Sequence, residues 1–253
     1  MWFPRRALMR TPLACLLLSG MALSSAPTRA EEFTSAQRAE IIAIMRDAMK
    51  RDPSILRDAV VALQTDDAEH EKTAARAAVL AAKDTLVTDN DPVAGNPHGS
   101  VTIVEFFDVR CPYCRKLEPE MADFLAADHD VRLVYKDLPI LGAASVLGTK
   151  ALLAARKQDA YIKLRDVLMR MPPDITRAAI EAEARKLGLD SARLLHDMDD
   201  PSIQKQIDAN LRLAQRLNIQ GTPAMVVGND LLAGAVDTAD LKEAVAQARS
   251  AKE

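Results

Sequence analysis

The stretch that decides the fold is Val101-Thr-Ile-Val-Glu-Phe-Phe-Asp-Val-Arg-Cys-Pro-Tyr-Cys114. Its first half, Val101–Phe107, is almost continuously apolar, β-branched and aromatic, which predicts a buried strand. Beyond the cysteines, apolar residues recur at helical spacing at Leu117, Met121, Phe124 and Leu125. The stretch therefore predicts a strand, a short loop, and a helix whose first turn contains Cys111 and Cys114.

A pair of thiols at the start of a helix has a chemical use. The unpaired backbone N–H groups and the positive end of the helix dipole favour the thiolate of Cys111 over the thiol. The thiolate is the reactive form in thiol–disulfide exchange. Cys114 lies one turn further on and can close an intramolecular disulfide. The pattern predicts a redox-active pair.

Other interpretations of the C-x-x-C pair stay open. Structural zinc takes about four ligands, and the four histidines are scattered, at His70, His98, His129 and His196. A static disulfide across so short a loop would stabilise the fold only a little. Two thiolates can also hold Cu(I), a soft ion. For a redox pair we expect no metal and no cofactor, because the disulfide itself carries the two electrons.

Residues 1–30 have the pattern of a secretory signal peptide. Arginines at positions 5, 6 and 10 precede an apolar run from Leu13 to Leu23, and Thr28-Arg29-Ala30 offers a small-residue cleavage site. The apolar run is too short to span a bilayer. Lipidation of Cys15 is an alternative, although Pro12 precedes that residue and the apolar run continues beyond it. We expect export to the periplasm.

Removal of residues 1–30 would change both the cysteine count and the charge. The full chain has three cysteines, and the mature chain would keep Cys111 and Cys114. The removed part contains four arginines and no acidic residue, so the formal net charge would go from −3 to −7. An acidic protein of this kind lacks the basic footprint of a nucleic-acid-binding protein.

A second motif follows about a hundred residues later, at Ile219-Gln-Gly-Thr-Pro-Ala-Met-Val-Val-Gly228. It predicts a turn before a short strand, with Pro223 at or before the first strand residue. A cis bond before this proline would turn the backbone sharply, and the amide and carbonyl of Thr222 could then pair with an extended substrate. An ordinary trans-proline turn is the alternative.

Together these residues resemble the DsbA-like branch of the thioredoxin superfamily and, within it, the ScsC type, which is linked to suppression of copper sensitivity. The resemblance covers roughly residues 98–250 and rests on three segments, namely Glu105–Cys114, Leu138–Gly142 and Gly221–Ala224. It implies that Cys111 is the attacking, solvent-facing thiol and Cys114 the resolving one. It implies that Glu105 is a buried acid beneath the active site and that Thr222-Pro223 is a cis-proline loop. Substrate would bind at Pro112, Tyr113, Thr222 and Pro223.

The resemblance implies a protein thiol:disulfide oxidoreductase that acts on exported proteins containing cysteines. A membrane partner would set its redox state, either a DsbD/ScsB-like reductant or a DsbB-like oxidant. Tyr113 brings no charge where the strong oxidants of the family have histidine, and Thr222 stands where the strongest oxidant has valine. Both differences favour isomerase or reductase activity. A DsbA-like dithiol oxidase and a Cu(I)-binding module for copper tolerance are the alternatives.

The position of Glu105 in the predicted strand is informative independently of the resemblance. It is the only charged residue in Val101–Phe107, so its side chain is predicted to point into an apolar layer. A buried carboxyl has a raised pKa and can exchange a proton, as the buried resolving thiol Cys114 requires. A solvent-facing acid at the strand edge is the alternative.

The predicted fold class is α/β, a thioredoxin fold with an inserted helical domain, preceded by an all-helical N-terminal oligomerisation segment. Residues 98–138 and 201–253 would form the two parts of the thioredoxin fold. Strands are predicted at Val131–Tyr135, at Ala224–Val227 as the end of a parallel crossover, and at Leu231-Leu232. Residues 139–200 would form the inserted domain, with helices at Ala143–Lys157, Tyr161–Met169, Ile175–Leu187 and Ala192–Met198. Long helices at Pro201–Leu217 and Thr238–Arg249 would complete the second part.

Residues 31–97 are predicted to be helical up to a linker at Asp89–Gly99. One helix has an apolar stripe at Ile41, Ile44, Met45 and Ala48. A second would begin with Asp52 as N-cap and Pro53 in its first turn, and a third would span Asp67–Val87. A wide apolar stripe needs a partner surface. We expect a homo-oligomer, dimer or trimer, formed through this segment; packing against the rest of the same chain is the alternative.

Overall fold

The computed structural model describes residues 33–234 and 236–251, so the predicted signal peptide and Cys15 lie outside the described residues. Helices span Ser35–Arg51 (α1), Ser54–Ala81 (α2), Lys83–Leu86 (α3), Pro112–Ala127 (α4), Ala143–Arg156 (α5), Tyr161–Arg170 (α6), Arg177–Lys186 (α7), Ser191–Asp197 (α8), Pro201–Arg216 (α9) and Thr238–Ser250 (α10). Strands span Val93–Gly95 (β1), Val101–Phe107 (β2), Val131–Asp137 (β3), Ala224–Val227 (β4) and Asp230–Ala233 (β5).

The strands form one mixed sheet in the order β1-β3-β2-β4-β5. β2 and β3 run parallel, with Val101 opposite Val131 and Phe107 opposite Asp137. β4 is antiparallel to β2, so the predicted parallel crossover into β4 is wrong. The helices α5–α9 return the chain to the end of the sheet at which β3 stops, and β4 therefore runs back from that end. The α/β class and the thioredoxin fold are confirmed.

Each face of the sheet carries its own apolar core, because alternate residues of a strand point to opposite faces. On one face, Ile103 and Phe107 of β2 pack with the buried side of α4, including Cys114, and with the inserted helices. On the other face, Val104 and Phe106 pack with α9 and with the segment from Val79 to Leu86. The redox pair therefore belongs to the face that the inserted helices cover.

The predicted linker at Asp89–Gly99 contains an edge strand, so that prediction is wrong in part. β1 pairs antiparallel with β3, with Val93 opposite Val134 and Gly95 opposite Arg132. Pro92 precedes the strand and its carbonyl accepts a hydrogen bond from the Tyr135 amide at 2.9 Å. A three-residue strand is too short to show an alternating pattern, and proline is tolerated at a sheet edge.

The chain divides into two compact units, Met1–Ala59 and Val60–Glu253. In the first, α1 has no buried residue, and its apolar side chains at Ile41, Ile44 and Met45 are exposed. The boundary falls within α2, which is one helix where two were predicted. No glycine or proline interrupts the sequence between Leu63 and Asp67, and Thr65 is accommodated by bonding its hydroxyl to the Val61 carbonyl at 2.9 Å.

The second unit begins within α2 and contains the whole sheet. Arg76 of α2 binds Asp230 of β5 through two hydrogen bonds of 2.5 and 3.1 Å. Val79 is buried, together with Ala82 and Leu86. Residues as early as Arg76 therefore belong to the same compact unit as the redox pair. Over residues 33–234 and 236–251, none of the helices combines the length and apolar character needed to cross a membrane.

Candidate redox-active site

Asp108 fixes the loop between β2 and α4. This residue is fully buried, and one carboxylate oxygen accepts a hydrogen bond from the Arg110 amide at 2.8 Å. The other accepts from the amides of Ile140 and Leu141, at 2.9 and 3.0 Å. The Asp108 carbonyl accepts from the Cys111 amide at 3.0 Å. Sequence reasoning missed Asp108, although an aspartate directly after a strand is a known turn signal.

The two cysteines open α4 as free thiols, with Cys111 as the N-cap residue and Pro112 in the first turn. Cys114 is fully buried, and burial raises the pKa of its thiol well above its usual range. The resemblance implies a solvent-facing Cys111, but the structure leaves this residue only 4% exposed. Its Sγ donates a hydrogen bond to the Thr222 carbonyl at 3.1 Å, so the loop before β4 covers it.

The loop before β4 reaches the redox pair because of the strand directions. β4 starts at the end of the sheet where β2 stops, with Ala224 opposite Phe106. The residues just before β4 therefore lie beside the residues just after β2. The peptide bond between Thr222 and Pro223 is cis. The structure thus brings together Cys111 and the Gly221-Thr222-Pro223 segment, which are far apart in the sequence.

An open groove adjoins this loop. Its volume is about 680 Å³, and its lining residues include Tyr113, Ile219, Thr222 and Leu231. Tyr113 is 62% exposed, so its ring forms part of the accessible wall of the groove. The groove presents apolar side chains next to the loop that carries the cis-proline.

Glu105 is buried among apolar groups, at 1% exposure. Burial raises its pKa to about 7, against the lowering effect of the Arg165 guanidinium. The charge of Glu105 in turn contributes to the raised pKa of the Cys114 thiol, so the two groups are electrostatically coupled. A carboxyl with this pKa changes its protonation state near neutral pH.

Arg165 is a second residue near the redox pair that the sequence reasoning missed. It belongs to α6, is fully buried, and lies 3.8 Å from a Glu105 oxygen. A signal was available, because Arg165 shares one helical face with the apolar residues Tyr161, Leu164 and Leu168. A charged residue within such a stripe predicts a buried ion with partners.

Two arginines beside the motif connect it to the inserted helices. Arg115 donates hydrogen bonds to the carbonyls of Val109, Met171 and Leu168. Arg110 donates to the carbonyls of Leu141 and Pro173, at 2.6 and 2.8 Å. These bonds hold the motif against α6 and the loop that follows it. No group of three or more potential metal-ligating side chains occurs in the part of the chain that the structure describes.

Comparison with known proteins places this geometry in a family. The profile of the DSBA-like thioredoxin domain matches residues 102–246. The chain belongs to the DsbA-like thioredoxin family. The matched region begins in β2 and ends in α10, so it includes the redox pair, the inserted helices and the cis-proline loop.

Solved structures of similar proteins cover different amounts of the chain. A thioredoxin-like oxidoreductase from Silicibacter pomeroyi is 42% identical, with a TM-score of 0.62, over 64% of this chain and 94% of its own. Proteus mirabilis ScsC in a transitional conformation is 31% identical, with a TM-score of 0.63, over 87% of this chain and 98% of its own. The resemblance to the ScsC type is thereby confirmed.

Curated relatives are matched over shorter parts. The thiol:disulfide interchange protein DsbA of Bordetella parapertussis is 29% identical over 56% of this chain and 70% of its own length. Three Na⁺/H⁺ antiporters also match, from Salinispora tropica, Salinispora arenicola and Herminiimonas arsenicoxydans, and the chain spans only 22%, 25% and 24% of their length.

Proposed function

We propose that this DsbA-like protein exchanges thiols and disulfides with the cysteines of exported proteins, through the Cys111–Cys114 pair. One observation carries the proposal. Two free thiols open α4, and the Sγ of Cys111 lies 3.1 Å from the carbonyl of Thr222, next to a cis-proline. Cys111 is thus covered by Thr222, a residue that lines the groove, and Cys114 is fully buried.

The proposed reaction conserves electrons at each step. The Cys111 thiolate attacks a substrate disulfide, forms a mixed disulfide with one substrate sulfur and releases the other as a thiolate. If the released thiolate attacks a different disulfide of the substrate, the result is isomerisation. If the Cys114 thiolate attacks the Cys111 sulfur, the substrate leaves reduced and the pair becomes a disulfide. The reverse sequence oxidises a substrate dithiol.

Glu105 serves the resolving step in this proposal. Cys114 must lose its proton before it attacks, and the raised pKa of its thiol makes spontaneous ionisation rare near neutral pH. A carboxyl with a pKa of about 7 is suited to accept that proton. The Thr222 backbone and Tyr113 would bind the substrate chain beside Cys111.

Within this class we favour isomerase or reductase activity. The absence of a charge at Tyr113 and the threonine at position 222 support a less oxidising pair. A dithiol oxidase is the second candidate, supported by the relationship to DsbA of Bordetella. We place the protein in the periplasm, working with a membrane redox partner, a DsbD/ScsB-like reductant or a DsbB-like oxidant.

The test uses cysteine variants of the mature protein. Alkylation of the reduced protein at mildly acidic pH should modify Cys111 alone. Cys114→Ala should accumulate mixed disulfides with a scrambled ribonuclease substrate, because the resolving step is missing. Cys111→Ser should form none. Equal labelling of both cysteines, or no mixed disulfide in Cys114→Ala, would contradict the proposal.

Whether the protein is an isomerase or an oxidase is tested with the wild-type protein on two substrates. Recovery of activity from scrambled ribonuclease measures isomerisation, and recovery from reduced ribonuclease measures oxidation. The protein is supplied reduced for the first assay and as the Cys111–Cys114 disulfide for the second, because a dithiol cannot accept electrons from a reduced substrate. We expect the recovery from scrambled ribonuclease to exceed the recovery from reduced ribonuclease. Efficient oxidation with little isomerisation would favour the oxidase.

A further inference from the structure

Arg165 is the largest fully buried side chain in the described part of the molecule. Its guanidinium carbon lies 3.9 Å from the ring centroid of Tyr135 and 4.6 Å from that of Phe107. Those two rings meet edge to face, at 5.5 Å between centroids. Contacts between a cation and aromatic faces gain strength when water is excluded. The guanidinium is therefore fixed in position before any substrate binds.

Two carboxylates share this one cation. Glu118 of α4 lies 2.5 Å from one guanidinium nitrogen, and Glu105 of β2 lies 3.8 Å from another. The Glu118 side chain is 22% exposed, whereas Glu105 and Arg165 are almost completely enclosed. Glu118 stands one helical turn after Cys114, so all three groups lie on the side of the sheet that holds the resolving thiol.

We propose that Arg165 is a positioning residue for the resolving step: its guanidinium, shared between Glu105 and Glu118, keeps Glu105 available as the carboxylate that accepts the proton of Cys114. The proposal rests on the proposed function and assigns a role to the inserted helical segment. That segment supplies a cation to the acid beneath the redox pair, in addition to covering the core.

The charges around Glu105 determine the sign of the expected effect. The titratable groups that face it come from three elements: Arg165 from α6, Glu118 and Cys114 from α4, and Tyr135 from β3. Opposite it on β4 stands Met225, which does not titrate. Arg165 lowers the pKa of Glu105, whereas Glu118 raises it. Removing the cation should therefore protonate Glu105 at neutral pH, and removing Glu118 should have the opposite effect.

The experiment follows the two exchange steps separately in the full mature protein. Reduced protein is mixed with glutathione disulfide. The Cys111 thiolate first displaces one glutathione thiolate and forms a mixed disulfide. Cys114 then displaces the second glutathione and closes the Cys111–Cys114 disulfide. Acid quenching and mass spectrometry measure the rate of each step between pH 5 and pH 9.

Arg165→Met should leave the first step unchanged and slow the second about tenfold near neutral pH, because a tenfold smaller fraction of Glu105 is ionised for each unit by which its pKa rises. The midpoint of the pH profile of the second step should move to higher pH. Arg170→Met, on the exposed side of the same helix, is the matched control and should leave both steps unchanged.

A second variant gives the opposite sign and avoids the risk that Arg165→Met fails to fold. Glu118→Gln removes the second carboxylate that shares the Arg165 cation, which lowers the pKa of Glu105. The midpoint of the pH profile of the second step should therefore move to lower pH. In a Glu105→Gln background, Glu118→Gln should no longer change the profile, since the group through which it acts is gone.

The outcomes separate the two proposals. Failure of the wild-type protein to form the mixed disulfide would overturn the proposed function. If the mixed disulfide forms, an unmoved midpoint in Glu118→Gln would overturn the role of the shared cation. A shift that persists in the Glu105→Gln background would do the same.

Discussion

At the scale of single residues, two of the buried acids, Glu105 and Asp137, differ from ordinary surface carboxylates. Burial raises the pKa of Glu105 to about 7, and it does the same for Asp137, whose carboxylate accepts a hydrogen bond from the Tyr161 hydroxyl at 3.1 Å. A buried carboxylate of this kind costs stability when ionised. Ionisation of these buried acids therefore lowers the stability of the fold.

This cost predicts how stability depends on pH. A carboxyl whose pKa rises on folding binds its proton more tightly in the native state, so it lowers the free energy of unfolding as the pH rises from about 4.5 to about 7. Glu105→Gln removes that titration. The free energy of unfolding of the variant minus that of the wild type should grow through this interval, on the order of a few kcal/mol, and become constant above it.

Urea unfolding at a series of pH values measures this difference, and Glu71→Gln on the exposed side of α2 is the control, whose difference should stay flat. A difference for Glu105→Gln that is independent of pH, or that shrinks as the pH rises, would contradict a raised pKa in the folded protein.

Residues differ in how far their roles could be predicted. One short stretch contains three residues whose roles the sequence indicates. Glu105 interrupts an apolar strand, and Cys111 and Cys114 form a C-x-x-C pair. Arg165 lies some fifty residues away in sequence, and nothing local to the motif indicates that it packs against Phe107 and Tyr135. Its partners are set by how α6 crosses the sheet, which the pattern of a single helix does not specify.

At the scale of elements, most of the strands and helices with a regular apolar pattern were predicted well, including the short strand Ala224–Val227, whereas β1 and the continuity of α2 were not. The predicted strand Val101–Phe107 has the observed bounds of β2, and Pro201–Leu217 differs from α9 by one residue. β1 escaped prediction because three residues between prolines show no period. The predicted break within α2 is absent, because polar residues alone do not end a helix when no glycine or proline is present.

The end of β1 supplies a prediction about backbone conformation. Gly95 has a φ of +69°, and a side-chain carbon there would lie 2.6 Å from the Val131 carbonyl oxygen. Gly188 has a similar φ of +76° with open space around it. Gly188→Ala should lower the free energy of unfolding by about 1–2 kcal/mol, the penalty for a left-handed conformation. Gly95→Ala should cost more, because the contact adds to that penalty.

Chemical unfolding of both variants separates the two effects. The decrease in the free energy of unfolding for Gly95→Ala minus that for Gly188→Ala measures the energetic effect of the close contact between β1 and β3. Equal losses in the two variants would mean that β1 can shift away from Val131 freely and that the edge strand contributes little to the fold.

At the scale of the whole molecule, the N-terminal segment presents an unusual surface. None of residues 33–59 is buried, and the exposed apolar side chains in this range are Phe33, Ile41, Ile42, Ile44, Met45, Ile55 and Leu56. Soluble proteins rarely leave an apolar surface of this extent uncovered. We therefore keep the proposal that residues 31–90 assemble the mature protein into a dimer or trimer.

Oligomerisation would serve isomerase activity directly. An isomerase must hold a misfolded chain while one thiol opens a wrong disulfide and the right one forms. Several redox pairs held in one assembly raise the effective thiol concentration around the same substrate. Deleting residues 31–95 would be a poor test, because it would also remove buried Val79 and Leu86 and the edge strand β1.

Point variants in the full mature chain test the assembly without touching the core. Ile41→Glu/Met45→Glu puts two charges into the apolar stripe of α1. Ala43→Glu/Lys50→Glu puts two glutamates on the opposite side of the same helix as a control. We expect the first variant to be a folded monomer that still reduces insulin but has lost most of its isomerase activity, since its redox pairs no longer act together. The control should keep the mass and both activities of the wild type. Light scattering at micromolar concentration measures the mass, and a monomeric wild type would contradict the assembly and favour a monomeric oxidase.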